Sequence, residues 1–171
     1  MKALLIVDMV VDFIDKKGAL YIGPGAEDVV LAIKSRLDEY RSAGELVIFL
    51  CDRHVYDDQE FTMFPPHSLE GTEGSEIVPE LAPLPGERII YKRRFSAFFG
   101  TDLDLTLREK GISDLELVGV VTNICILYTA AQARMLSYRV TVPIDAVTSF
   151  DQDAHRFALQ EMGKTLGVTL I

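Results

Sequence analysis

Cys125 is the residue in this chain best placed for nucleophilic chemistry. It follows Gly119-Val120-Val121-Thr122-Asn123-Ile124 and falls in the first turn of a helix expected from Asn123 to Met135, with Thr122 or Asn123 as N-cap. Unpaired amides and the helix dipole at that position favour a thiolate, and a neighbouring lysine would lower the thiol pKa further below its reference of about 8.5. The same amides could receive an oxyanion during acyl transfer. A cysteine nucleophile usually recruits a histidine, but the chain has only His54, His67 and His155, and His155 reads as a surface or capping residue early in the last helix. Asp8 is then left as general base and acid, with Lys92 beside the thiol. The second cysteine, Cys51, lies at the end of the apolar run Val47–Leu50 and reads as an inert core thiol.

A second constellation is Asp52-Arg53-His54 with His67 thirteen residues on. In extended backbone, residues two apart point the same way, so Asp52 and His54 can share a ligand. One carboxylate and two imidazoles make a plausible divalent-metal set with positions left for water or substrate.

These residues are set by the elements that carry them. Asp8 ends the apolar run Ala3–Val7, Asp52 ends Leu46–Cys51, Lys92 ends Arg88–Tyr91, and Cys125 follows Leu115–Val121. Two further runs, Arg139–Pro143 and Val168–Ile171, complete the set. Helical patterns lie between them: a stripe of Val29, Ile33, Leu37 and Tyr40 closed by Gly44, then segments over 101–111, 123–135 and 153–166. Continuous apolar runs alternating with helices predict an α/β, three-layer architecture, a six-stranded parallel sheet with helices on both faces. Ligands bind at the carboxyl edge of such a sheet, where Asp8, Asp52, Lys92 and Cys125 all fall. The stretch 53–87 breaks the alternation. Five prolines interrupt it, and a connection this long in a compact domain is expected to be functional, here carrying metal and pocket residues.

The length of 171 residues predicts a single domain over 1–171. A net charge of −9 argues against nucleic-acid partners and against anionic membranes, while the reactive residues lead to the expectation of a small-molecule substrate. Two thiols suit a reducing compartment, and the short apolar run after Lys2 is no secretory or membrane-spanning segment, so the expected location is the cytoplasm. Nothing in the sequence decides between a monomer and a homo-oligomer.

Taken together, the chain resembles the isochorismatase-like cysteine hydrolases, and within them the metal-dependent nicotinamidases. The resemblance rests on Leu5-Ile6-Val7-Asp8 with Asp12-Phe13, on Asp52-Arg53-His54, and on Phe64-Pro65-Pro66-His67 leading to Gly71-Thr72-Glu73-Gly74. It continues through Lys92-Arg93-Arg94-Phe95-Ser96-Ala97-Phe98, Gly100-Thr101-Asp102-Leu103 and the Gly119–Cys125 block, and ends with Asp145-Ala146-Val147 and His155. It implies a flavodoxin-like sheet, a triad of Asp8, Lys92 and Cys125, and oxyanion donors from the amides of Val121 and Cys125. It implies metal ligands Asp52, His54 and His67 with Glu60 as a fourth, zinc being the first expectation and manganese or iron the alternatives. Phe13, Phe64 and Phe95 match positions that wall a pyridine ring, although ordinary core packing would also account for phenylalanines. Relatives also join the residues matching Val120 and Val121 by a cis peptide. The implied activity is hydrolysis of nicotinamide to nicotinate and ammonia through a cysteine thioester, in NAD salvage. Another small amide or a vinyl ether is the alternative substrate, and a non-catalytic partner-binding relative is the alternative of another class. Val10, Val11 and Ser68 depart from the usual pattern near the pocket and bear on substrate identity.

Overall fold

The structure is a computed structural model describing residues 1–171. Six strands run in parallel in the order β3-β2-β1-β4-β5-β7: β1 (Lys2–Val7), β2 (Leu46–Asp52), β3 (Arg88–Lys92), β4 (Asp114–Val120), β5 (Arg139–Val142) and β7 (Thr169–Leu170). A seventh strand, β6 (Val147–Thr148), was not expected. It is two residues long and pairs with the end of β4, Gly119 opposite Val147 and Val120 opposite Thr148. Its brevity and position beyond β5 explain why no apolar run marks it.

The central strands are buried on both faces, which is why they read as unbroken apolar runs rather than alternating ones. Along β1, Ala3, Leu5 and Val7 point into one core with α3 (Leu103–Glu109), α4 (Leu127–Met135) and α5 (Gln152–Lys164). Leu4 and Ile6 point into the other, against the Val29, Ile33 and Leu37 stripe of α2 (Ala26–Ser42). Gly44 follows α2 at φ +65°, the left-handed conformation expected of a helix-terminating glycine. A short helix, α1 (Val11–Ile14), stands directly after β1.

Chain direction across the sheet reverses between β1 and β4. From β1 the connection leads outward to β2 and β3, and from β4 it leads the other way to β5 and β7. That reversal opens a crevice at the carboxyl edge, flanked by Asp8 and the segment after Val120. Gly119 permits the two strands to meet there. Its φ is +120°, and a Cβ on it would lie 2.0 Å from the carbonyl oxygen of Val7.

The connection over 53–87 is ordered by three short 3-10 turns at Gln59–Thr62, Glu73–Ser75 and Pro79–Leu81. Backbone bonds fold it on itself, His54 donating to Ser68 O at 2.9 Å and Glu70 to His54 O at 2.9 Å, and fasten it beside the end of β1, Val78 donating to Met9 O at 3.1 Å.

Candidate active site

Four strand ends converge on Lys92. Its Nζ lies 2.9 Å from Asp8 Oδ2, 2.5 Å from Asp52 Oδ1 and 3.4 Å from Cys125 Sγ, and all four side chains are buried. Asp8 leaves β1 at φ +52°, a left-handed conformation that aspartate tolerates better than most residues, and its Oδ1 accepts the backbone N–H of Asp52 at 2.8 Å. Burial acts to lower the Lys92 pKa, but Asp52 and Asp8 outweigh that effect and raise the pKa well above the ordinary value. Asp52 is driven upward by burial too, yet the Lys92 ammonium holds it well below the usual carboxylate range. For Asp8 the balance tips the other way. Burial, then the charge of Asp52, push its carboxyl up to about 6 against the pull of Lys92.

Cys125 departs from expectation. Its pKa is raised well above the ordinary thiol value, because burial and the charges of Asp8 and Asp52 outweigh Lys92. The resting group is a thiol with an ionisable carboxylate, Asp8, within 4.8 Å to take its proton. Its backbone also differs: Thr122–Ile126 forms a π-helical turn ahead of α4, with no side-chain cap. Thr122 and Asn123 do not cap. Thr122 Oγ1 pairs with His155 Nδ1 at 2.9 Å, and Asn123 Oδ1 accepts from Ser149 Oγ at 2.7 Å. His155 is therefore a bolt on the turn that carries the thiol, and Asp151 is the cap of α5, accepting from Asp153 and Ala154. The peptide between Val120 and Val121 is cis, as the relatives suggested.

Beside this corner, Asp52, His54, Glu60 and His67 bring one ligand atom each to within 4.8 Å of one another, all four buried. His54 Nδ1 faces Asp58 Oδ2 at 3.1 Å and His67 Nδ1 faces Pro65 O at 2.8 Å. A carboxylate and a carbonyl only accept, so each Nδ1 carries the proton and each Nε2 keeps its lone pair. Those lone pairs point at Asp52 Oδ2, at 3.6 Å from His54 and 3.7 Å from His67. His54 Nε2 and Glu60 Oε2 are buried with no hydrogen-bond partner, and burial together with Asp52 pushes the Glu60 carboxyl above its ordinary pKa. Two lone-pair imidazoles and two crowded carboxylates are the donor set of a divalent cation, and a cation would satisfy the orphaned atoms. The residues present fit such an ion.

Both groups open into one small cleft, lined by Cys125, Val121, Asp52, Glu60 and His67 and walled by Phe13, Phe64 and Phe95. Phe64 stands perpendicular to Phe95 at 6.1 Å, and Phe13 meets His67 edge-on at 5.6 Å.

Residues 2–170 match the isochorismatase domain model. The chain belongs to the isochorismatase family. Among solved family members, the nicotinamidase PncA from Bacillus subtilis is 36% identical, with a TM-score of 0.94 over 99% of this chain and 98% of that one. The N-carbamoylsarcosine amidase from Thermoplasma acidophilum is 34% identical, TM-score 0.90, over 99% and 94%. The pyrazinamidase of Pyrococcus horikoshii, solved in complex with zinc, is 28% identical, TM-score 0.93, over 99% and 98%.

Sequence reasoning missed three kinds of residue in this family site. Leu20, Ile124 and Phe150 also line the cleft. Phe150 follows β6, and a search of every strand end would have reached it had that strand been recognised. Asp12 ties the loops together, its Oδ2 accepting from Ser68 N at 2.7 Å and its Oδ1 from Ala19 N at 3.1 Å. Gly74 makes room for that carboxylate, since a Cβ there would sit 2.2 Å from Asp12 Oδ2. Asp58, with Arg93 and Arg94 upon it, had no signal beyond a polar residue before a turn.

Proposed function

We propose that the chain hydrolyses nicotinamide to nicotinate and ammonia through a thioester on Cys125. The observation that carries the reading is one small cleft lined by a buried thiol, by members of a cation-binding set and by an aromatic wall. That combination suits a flat ring bearing both a carboxamide and a lone-pair nitrogen. Likeness to the Bacillus nicotinamidase supports the same substrate.

In this reading Asp8 accepts the Sγ proton as sulfur attacks the carboxamide carbon. The carbonyl oxygen takes the displaced electron pair and is received by the amides of Val121 and Cys125. Asp8, with a pKa near 6, then gives its proton to the departing ammonia. Asp8 next draws a proton from water, which attacks the thioester carbon, and collapse releases nicotinate and returns the proton to Sγ. Lys92 remains an ammonium throughout and steadies the negative charge that passes among Asp8, Asp52 and sulfur. Phe13, Phe64 and Phe95 hold the ring and exclude water. Asp52, His54, Glu60 and His67 would hold a divalent cation, zinc first and manganese or iron as alternatives, which supplies a Lewis-acidic anchor for the ring nitrogen.

A second reading, hydrolysis of another small amide, is favoured by likeness to the N-carbamoylsarcosine amidase. Ammonia release from nicotinamide and from benzamide separates the two. A site built to receive a polar atom rejects the isostere that lacks it, so nicotinamide should react faster by about 10²-fold or more. Equal rates on both amides would remove nicotinamide as the substrate and leave the thiol chemistry standing.

A further inference from the structure

The carboxylate of Asp58 is buried, belongs to neither the thiol corner nor the ligand set, and makes four polar contacts. Its Oδ2 lies 3.1 Å from His54 Nδ1 and accepts from Arg93 Nε at 2.9 Å. Its Oδ1 accepts from Arg94 Nη1 at 2.9 Å and from the backbone N–H of Glu60 at 3.1 Å. One side chain thus touches two members of the cluster from behind.

We propose that Asp58 is a positioning residue of the cation site, fixing the tautomer and ring orientation of His54 while holding the turn that presents Glu60. The inference rests on the metal reading of the Asp52, His54, Glu60 and His67 cluster. As an ionised acceptor, Asp58 obliges His54 to carry its proton on Nδ1, which keeps the Nε2 lone pair aimed into the cluster and makes the imidazole a better donor. As the cap of the turn Gln59–Thr62, it fixes where the Glu60 side chain leaves the backbone.

Arg93 and Arg94 complete the device. They follow Lys92 directly, so one segment at the end of β3 supplies both the ammonium of the thiol corner and the two guanidinium groups that lock Asp58. The guanidinium groups are part-exposed and reach a carboxylate whose side chain is fully buried, offsetting its charge. The Lys92-Arg93-Arg94 block therefore sets the thiol corner and the cation site in register with each other.

The test uses the full chain loaded with zinc and followed against a chromogenic chelator. Asp58→Asn and Asp58→Ser both retain an acceptor that can cap Glu60 and remove the carboxylate, so the pair guards against a mere failure of the turn. Each should raise the zinc dissociation constant by about 10–100-fold, the range found when outer partners of metal-bound histidines are removed. In cobalt-loaded protein the visible absorption band should shift in both variants, a change in the ligand field that loss of packing elsewhere would not produce. Unchanged zinc affinity together with an unchanged cobalt band, in either folded variant, overturns the role of Asp58. A wild-type chain that retains neither zinc nor cobalt overturns the metal reading itself, and is seen before any variant is made.

Discussion

Around Lys92 a buried cation is already in place. Its ammonium stands against Asp8 and Asp52, and the thiol of Cys125 remains protonated between them. In the neighbouring cluster the balance is poorer: two carboxylates face two lone-pair nitrogens, His54 Nε2 and Glu60 Oε2 have no hydrogen-bond partner, and Arg94 approaches Glu60 Oε2 only to 4.0 Å. Asp52 belongs to both, with Oδ1 on Lys92 and Oδ2 toward the histidines. A buried group left unpaired costs about 1–3 kcal/mol, so the imbalance is informative where the balance is not. The corner has the groups to move protons internally, and the cluster has the donors that a divalent cation would take.

The largest expected effect comes from cutting each region separately. Cys125→Ala should lower ammonia release from nicotinamide by about 10⁴-fold or more while leaving zinc content near that of the wild type. His54→Ala should do the reverse to the metal, losing the ion, with the nicotinamide rate falling toward the benzamide rate. Zinc lost from Cys125→Ala, or kept at full occupancy in His54→Ala, would show that the two regions do not divide the work in this way.

A second effect tests whether the corner runs on Asp8. Its carboxyl is raised from 3.8 to about 6 by burial and by Asp52, so it titrates above an ordinary aspartate. The base must be ionised, so activity is present above that value and lost as pH falls through about 6. Turnover measured from neutral pH downward should show this acid limb. Zinc content must be followed at each pH, because metal affinity itself falls in acid and loss of the ion would imitate loss of the base. Activity that stays level well below pH 6, with zinc retained, would remove Asp8 from the role.

The two regions also differ in how far the sequence discloses them. The corner lies on strand ends, and parallel strands buried on both faces announce themselves as apolar runs, so Asp8, Asp52, Lys92 and Cys125 could be placed on one edge from their neighbours alone. The six runs matched the observed strands to within a residue or two, and only the two-residue β6 escaped. The cluster is carried by 53–87, where irregular backbone has no period to read. His54 and His67 stood out by residue type, but Glu60 came only with the family resemblance, and Asp58 had no signal because its partners lie 35 and 36 residues away on Arg93 and Arg94. The thiol pKa failed for a different reason. The lysine acts downward as expected, but full burial and two nearby carboxylates are tertiary facts that outweigh it.

The smallest expected effect concerns how the corner is braced. Cys125 rides on a π-helical turn that has no cap of its own, and such turns are rare because their backbone geometry is poor. Thr122 at its start is fully buried, and its hydroxyl pairs with His155 Nδ1. His155→Ala leaves that hydroxyl without a partner, a loss of about 1–2 kcal/mol in unfolding free energy. The low end is favoured because His155 is only half-buried, and water entering its place can reach Thr122. Urea unfolding should show a lower midpoint at unchanged slope, and His155→Gln, which keeps a polar head on a longer stem, should recover part of the loss. Zinc affinity should stay at the wild-type value, since nothing in this contact touches the cluster. A His155→Ala variant that keeps full stability would mean the turn holds itself, and a variant that loses zinc would mean the corner and the cluster are braced as one.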